Sequence, residues 1–213
     1  MRWIIFFFVF FLAMNTSHSQ LKVAEIFTDN MVLQRDQPIK IWGSAAPQTE
    51  IVLSFLNKNQ STVADINGNW ELEFERQLAT SQPQKIRIKS LTQTITLKNI
   101  LIGDVWVLLG QSNMEWPMRG EMHFEEELKD ADNKQLRFYN PKYIGKNIYG
   151  KAYNQDQRKK LAGGELFYDK KWEESDTSSF KAMSAIGYYF GKQIIDKKGI
   201  PVGLINLSIG GAP

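Results

Sequence analysis

Apolar and polar residues alternate with period two along most of the chain between Leu21 and Ile100. The segments "KVAEIF", "PIKIWG", "EIVLSF", "NWELEF", "QKIRIKS" and "TITLKNI" each stop at turn residues such as Asp36–Pro38, Asn57–Asn59 and Asn67–Gly68. Such alternation marks half-buried strands, and many short strands in succession predict an antiparallel β-sandwich over residues 20–100. Trp42, Phe55, Trp70 and Phe74 are its expected core anchors, because large aromatics are more often buried than displayed. An aromatic platform for sugars is the alternative use of the same four residues.

After Leu101 the pattern changes. "GDVWVLLG" is almost continuously apolar, as befits a strand covered on both faces of a parallel sheet. "GEMHFEEELKDADN" predicts a short acidic helix. A longer helix is expected after Ser184, a capping residue, with Ile186, Tyr189, Phe190, Gln193 and Ile194 placing its apolar positions mainly on one face. Gly199 supplies a left-handed stop and Pro201 follows. "VGLINLS", Val202 to Ser208, reads as a second parallel strand, lying at an open edge of the sheet and running into "IGGAP". Strand, helix, strand is a βαβ pattern, so residues 101–213 are expected to form part of an α/β domain. The stretch from Pro141 to Trp172 is polar and without periodicity. Lys and Arg outnumber Asp and Glu there, which predicts a solvated insertion; a loop that attracts an anionic substrate is the alternative.

Composition removes several classes of function. With 213 residues, 43% hydrophobic and 23% charged, the chain has the profile of a globular protein. A net charge of +3 is too small to argue for nucleic acid as a partner. There is no cysteine, which excludes disulfides, thiolate catalysis and Cys-ligated metals, and the two histidines, His18 and His123, leave little for a zinc site. No metal or other cofactor is therefore expected. The chain opens with Arg2, an apolar run from Trp3 to Met14, and the small residues Ser17 and Ser19 at cleavage spacing. That is the layout of a secretory signal peptide over residues 1–19. The apolar run is shorter than the ~20 residues needed to span a bilayer, so cleavage is expected rather than anchoring. A secreted or periplasmic protein without membrane attachment follows.

The candidate chemistry lies in "LLGQSNMEW", residues 108–116. A buried strand ends at Gly110 and delivers Ser112 between two amides, Gln111 and Asn113. A hydroxyl at the carboxyl edge of an α/β sheet stands where ligands bind, and the tight turn has the logic of a nucleophile elbow without the G-x-S-x-G residues. A serine capping the following helix is the competing reading, and the residues alone leave both open.

"GDVWVLLGQSNMEWPM" resembles the first signature block of SGNH-type hydrolases in the form carried by the sialate O-acetylesterase family. "DNMVLQRDQPIKIWGSAAP" and "ADINGNWELEF" are similar to that family's N-terminal β domain, and "AIGYYFGKQIIDKKGIPVGLINLSIGGAP" to the helix and strand that lead to its second block. The resemblance implies a flavodoxin-like parallel sheet preceded by the β-sandwich. It also implies an esterase acting on O-acetyl sugars, sialic acid first. Acetylxylan or another glycan is the close alternative, and a non-catalytic sugar-binding protein the distant one. By the same resemblance Ser112 is the nucleophile and its backbone N–H one oxyanion donor. Gly210 or Gly211 supplies a second donor, and Gln111 and Asn113 hold the turn. The family's third block and its Asp-x-x-His block would lie beyond Pro213, so the chain is expected to be the N-terminal portion of such an enzyme. His123, on the acidic helix, is expected to be an ordinary surface residue with Glu127 as partner. N-terminal sequencing of secreted material should give Gln20 as its first residue; retention of Met1 would overturn the signal-peptide reading.

Overall fold

A computed structural model describes residues 20–145 and 151–211. The expected signal peptide, residues 1–19, lies outside the described residues. Eight strands come first: β1 Lys22–Val23, β2 Val32–Gln34, β3 Ile39–Ser44, β4 Glu50–Phe55, β5 Lys58–Val63, β6 Asn69–Phe74, β7 Thr80–Lys89 and β8 Thr94–Leu108. There follow α1 Ser112–Glu115, α2 Phe124–Glu127, β9 Asn133–Tyr139, β10 Lys142–Tyr143, α3 Gln155–Ala162, β11 Phe167–Tyr168 and β12 Trp172–Ser175. Last come α4 Thr177–Ala182, α5 Ala185–Lys198 and β13 Val202–Asn206.

Period-two alternation places one row of each early strand inside. Ile39 and Ile41 of β3, Ile51, Leu53 and Phe55 of β4, Trp70, Leu72 and Phe74 of β6, and Ile86 and Ile88 of β7 are buried together. They come from a three-stranded sheet, β1-β3-β6, and from the antiparallel part of a larger one, which share this core. Trp42 departs from expectation. It is 43% exposed, because it points away from the row occupied by Ile39 and Ile41, and it meets Phe27 edge to face. β5 has no legible signal: it is an edge strand of polar residues closing a hairpin whose turn, Leu56–Asn57, is left-handed at both positions.

The larger sheet is mixed and mostly antiparallel, in the order β12-β9-β13-β8-β7-β4-β5 with β2 beside β8. The boundary expected at residue 100 falls inside one continuous strand. The first part of β8 pairs antiparallel with β7, and its last five residues pair parallel with β13, from Val202↔Asp104 to Asn206↔Leu108. Between them the register slips, with Gln84 opposite Ile100 and Ile86 opposite Leu97, and Asn99 takes φ 56. An extra residue in one strand bends it and sharpens its twist. β13 is not an edge strand, contrary to expectation, for it lies between β8 and a parallel strand, β9. Sequence reasoning missed β9 because Arg137 interrupts its apolar run "LRFY". α5 is capped by Ser184, whose Oγ accepts from the Gly187 N–H, and ends at Gly199 with φ 64. Its buried face is Tyr188, Gly191 and Ile195, whereas Ile186 and Phe190 are exposed. The two glycines explain the difference. A Cβ on Gly191 would sit 2.8 Å from Leu136 and 3.0 Å from Leu204, and one on Gly187 would run into Leu108, so bare backbone is what lets the helix lie on the sheet.

One polar cluster crosses the bend. Arg137 is 1% exposed; its guanidinium pairs with Glu174 of β12 and reaches Asn99 Oδ1 at 3.4 Å. Asn99 Nδ2 in turn donates to Glu174 Oε1 at 2.5 Å and to Asn30 at 2.7 Å. Burial alone would push the Glu174 carboxyl up, but the bonds from Asn99, Arg137 and Lys134 outweigh it and hold it at about 2. A lowered folded-state value stabilises the fold above the ordinary carboxyl range, and that contribution fades as the pH falls toward about 2. Glu174→Gln should therefore be clearly less stable than the parent in urea unfolding at pH 7, with the gap narrowing at pH 3. A gap that stays constant between the two pH values would count against the cluster.

Candidate functional site

β8 and β13 run parallel, so both deliver their following loops to one edge of the sheet. The loops stay paired beyond the strands: the Leu207 N–H donates to Leu108 O at 3.0 Å and the Ile209 N–H to Gly110 O at 3.1 Å. Gly110 then turns with φ 149, a conformation that favours glycine, and a Cβ there would press on Met114 at 3.1 Å. The chain enters α1 at Ser112. Gln111 occupies the cap position without a side-chain cap bond, so Ser112 is the first helical residue and the capping reading fails.

The segment 110–118 is pinned from below. Met118 is fully buried, its N–H donates to Met183 O at 2.8 Å, and Trp116 O accepts from the Ala185 N–H at 2.8 Å. Met114 approaches Ser184 Oγ at 3.7 Å. Beneath lies a second core containing Leu108, Leu136, Phe138, Phe180, Tyr188 and Leu204. With its apolar residues held inward, the motif turns Ser112 and Trp116 outward. The Ser112 hydroxyl is exposed and has no hydrogen-bond partner among the described residues.

The second loop closes on the first. A Cβ on Gly210 would lie 3.6 Å from Ser112 Cα, although the two are far apart in sequence. The Gly210 N–H donates to Glu115 Oε2 at 2.6 Å. Upstream, Asn206 Oδ1 accepts from the Ser208 hydroxyl at 2.6 Å and from the Ser208 N–H at 3.2 Å, while its amide donates to Asn140 at 3.0 Å. These contacts set the course of the chain into Gly210 and Gly211. Gly211 has φ 77.

Ser112, Glu115, Trp116, Arg119, Tyr168, Gly210 and Gly211 line a common open cavity of about 830 Å³. Two of its cations are paired, Lys142 with Asp169 and Lys171 with Glu173 at 3.0 Å. The hydrogen bond to Asp169 holds the Lys142 ammonium above its ordinary range.

No family model matches the chain. Curated relatives do. The chain is 24% identical over 205 residues to the sialate O-acetylesterase of Homo sapiens, covering 90% of this chain and 38% of that protein. It is also 24% identical over 199 residues to the sialate O-acetylesterase of Mus musculus, covering 87% and 35%. Among solved structures, a carbohydrate acetylesterase from Xanthomonas citri superposes with a TM-score of 0.75 at 27% identity, over 90% of this chain and 41% of that one. The chain is thus similar, over nearly all of its length, to sialate O-acetylesterases and to a carbohydrate acetylesterase. It spans less than half the length of these relatives.

The structure brings together three of the residues singled out by the family motif, Ser112, Gly210 and Gly211. Gln111 lies beside them. Asn113 is exposed and its amide makes no hydrogen bond among the described residues, so the amide role expected for it in holding the turn is not what the structure shows. His123 is also exposed, 3.4 Å from Glu126 rather than Glu127, and does not line the cavity. Glu127 instead accepts from the Tyr188 hydroxyl at 2.9 Å and the Lys192 ammonium at 2.5 Å. Sequence reasoning missed Trp116, Arg119, Tyr168 and the bond from Glu115 to Gly210. Trp116 and Glu115 sit inside the quoted motif, but only contacts reveal what they touch. A charge-assisted bond of this kind contributes about 1.5–3 kcal/mol. Glu115→Ala should raise the hydrogen-exchange rate of the Gly210 amide at least tenfold by NMR and leave the β-sheet amides unchanged; an unaltered Gly210 rate would refute the brace.

Proposed function

We propose that this chain carries the nucleophile half of a secreted or periplasmic carbohydrate esterase that removes O-acetyl groups from sialic acid. The observation that carries this reading is the approach of Gly210 to Ser112 at the carboxyl edge of parallel strands, with Ser112 exposed on a cavity. Support also comes from the acetylesterase relatives and from the SGNH-like block around Ser112. On this reading residues 101–213 are part of a flavodoxin-like SGNH domain, and residues 20–100 a β-sandwich that precedes it.

Ser112 Oγ attacks the acetyl carbonyl while a base takes its proton. The Ser112 N–H and one of the glycine N–H groups hold the oxyanion, and each such donor contributes about 3 kcal/mol. The sugar hydroxyl leaves with a proton, and water then attacks the acetyl-serine and releases acetate. The base is the family's Asp-x-x-His histidine, which residues 20–213 do not contain. A second reading, deacetylation of another glycan, is favoured by the Xanthomonas citri neighbour, a carbohydrate acetylesterase.

Residues 20–213 alone should show no serine-dependent turnover of a chromogenic acetyl ester, because stripped hydrolases retain only residual catalysis. A reading frame extended through the missing blocks should be active and should lose at least a thousandfold in kcat on Ser112→Ala. Strong activity of residues 20–213, abolished by both Ser112→Ala and His123→Ala, would overturn this division and make His123 the base.

A further inference from the structure

Trp116 is 56% exposed and lines the cavity, yet its indole is held by neighbouring groups. Its indole N–H donates to Gly120 O at 3.0 Å. A Cβ on Gly120 would stand 3.1 Å from Cε2, 3.1 Å from Cζ2 and 3.2 Å from Nε1, and three nearly equal distances around a ring-fusion atom put it over the ring face. One face of the indole is thus backed by Gly120. Its polar atom is satisfied, its backbone is tied to Ala185, and the open surface borders the cavity that holds Ser112 four residues back. An exposed aromatic alone means little. A locked aromatic at the rim of a serine site is a platform that loses little entropy on binding.

The charge beside it is specific. Arg119 lines the same cavity, and its Nη1 lies 3.5 Å from Lys181 O; it has no carboxylate partner among the described residues. The other cavity cations, Lys142 and Lys171, are paired with Asp169 and Glu173, and the Glu115 carboxylate accepts from the Gly210 amide. A guanidinium without a carboxylate next to a flat apolar surface suits a ligand with both an apolar ring face and an acid group.

We propose that Trp116 and Arg119 form a subsite for an acidic pyranose, with the sugar ring stacked on the indole and its carboxylate on the guanidinium. This rests on the reading of Ser112 as a sugar deacetylase nucleophile and names the residues that select its substrate. The geometry suits stacking, since the C–H groups on one face of a pyranose form an apolar patch that packs on an aromatic face.

The test is titration of this chain with O-acetylated N-acetylneuraminic acid and with an acetylated xylo-oligosaccharide, followed by calorimetry at low and high salt. Trp116→Ala should weaken binding of the acidic sugar at least tenfold, and Trp116→Tyr should keep it within about threefold. Arg119→Gln should weaken the acidic sugar about tenfold at low salt, with a smaller loss at high salt, and leave the xylo-oligosaccharide unaffected. Far-UV circular dichroism of each variant separates lost binding from lost folding, and the tyrosine variant decides the stacking role if the alanine variant does not fold. Unchanged affinity in Trp116→Ala or weakened affinity in Trp116→Tyr equal to loss of the ring, equal binding of the two sugars with Arg119→Gln silent, or no binding by the parent chain would each overturn the subsite. Ser112→Ala should bind like the parent. If an extended enzyme kept its turnover after Ser112→Ala, the nucleophile reading would fall while these binding results stood.

Discussion

Everything at the site depends on β8 being a single strand with two kinds of neighbour. Thr94 to Ile102 must pair antiparallel with β7, whereas Asp104 to Leu108 must present a parallel edge to β13. A flat strand cannot serve both sets of partners without twisting. The extra residue at the bend and the left-handed Asn99 supply that twist. At the bend the side chains of Arg137, Glu174 and Asn99 meet in one polar cluster with charge-assisted bonds. The cluster also joins β8, β9 and β12, so the position of Ser112 is referred to three strands rather than one. A buried ion pair is weak evidence for net stability. Its more defensible role here is to specify register, since a slip of β9 by one residue would turn Arg137 out and Phe138 in the opposite sense.

How much of this was legible in the sequence depended on whether local pattern or tertiary contact decided each element. The alternating strands β1, β3, β4 and β6, the apolar strand ending at Gly110, the Ser184 cap and the Gly199 stop could be read because their signals are local. β9 could not. Its central Arg137 looks like a surface residue until Glu174 and Asn99 are brought to it by β12 and β8. α5 misled in the opposite way, because its apolar residues Ile186 and Phe190 face outward while glycines carry the contact. Periodicity scores side chains, and a helix that packs through missing side chains escapes it. At the site, the motif pointed to Ser112, Gly210 and Gly211, and the structure brings them together. It could not show the contacts of Glu115, Trp116 or Arg119, since these depend on where the glycine loop and the turn at Met118–Gly120 come to rest.

The bond between Glu115 and Gly210 bears on a choice that the motif leaves open. On the proposed reading one of two adjacent N–H groups stabilises the oxyanion. The Gly210 N–H is already satisfied by a carboxylate at 2.6 Å. To serve the substrate it would first have to give up a charge-assisted bond of about 1.5–3 kcal/mol, against a donor's contribution of about 3 kcal/mol in the transition state. The net gain would be small. A donor held ready for a developing charge contributes most when no competing group occupies it, because its reorganisation is then complete before the reaction begins. Gly211 follows directly and takes φ 77, a conformation that turns its peptide relative to that of Gly210. The energetics therefore favour Gly211 as the donor, with Glu115 bracing Gly210 so that the loop stays beside Ser112. This division gives the acid of the "GQSNMEW" segment a role that needs no proton transfer.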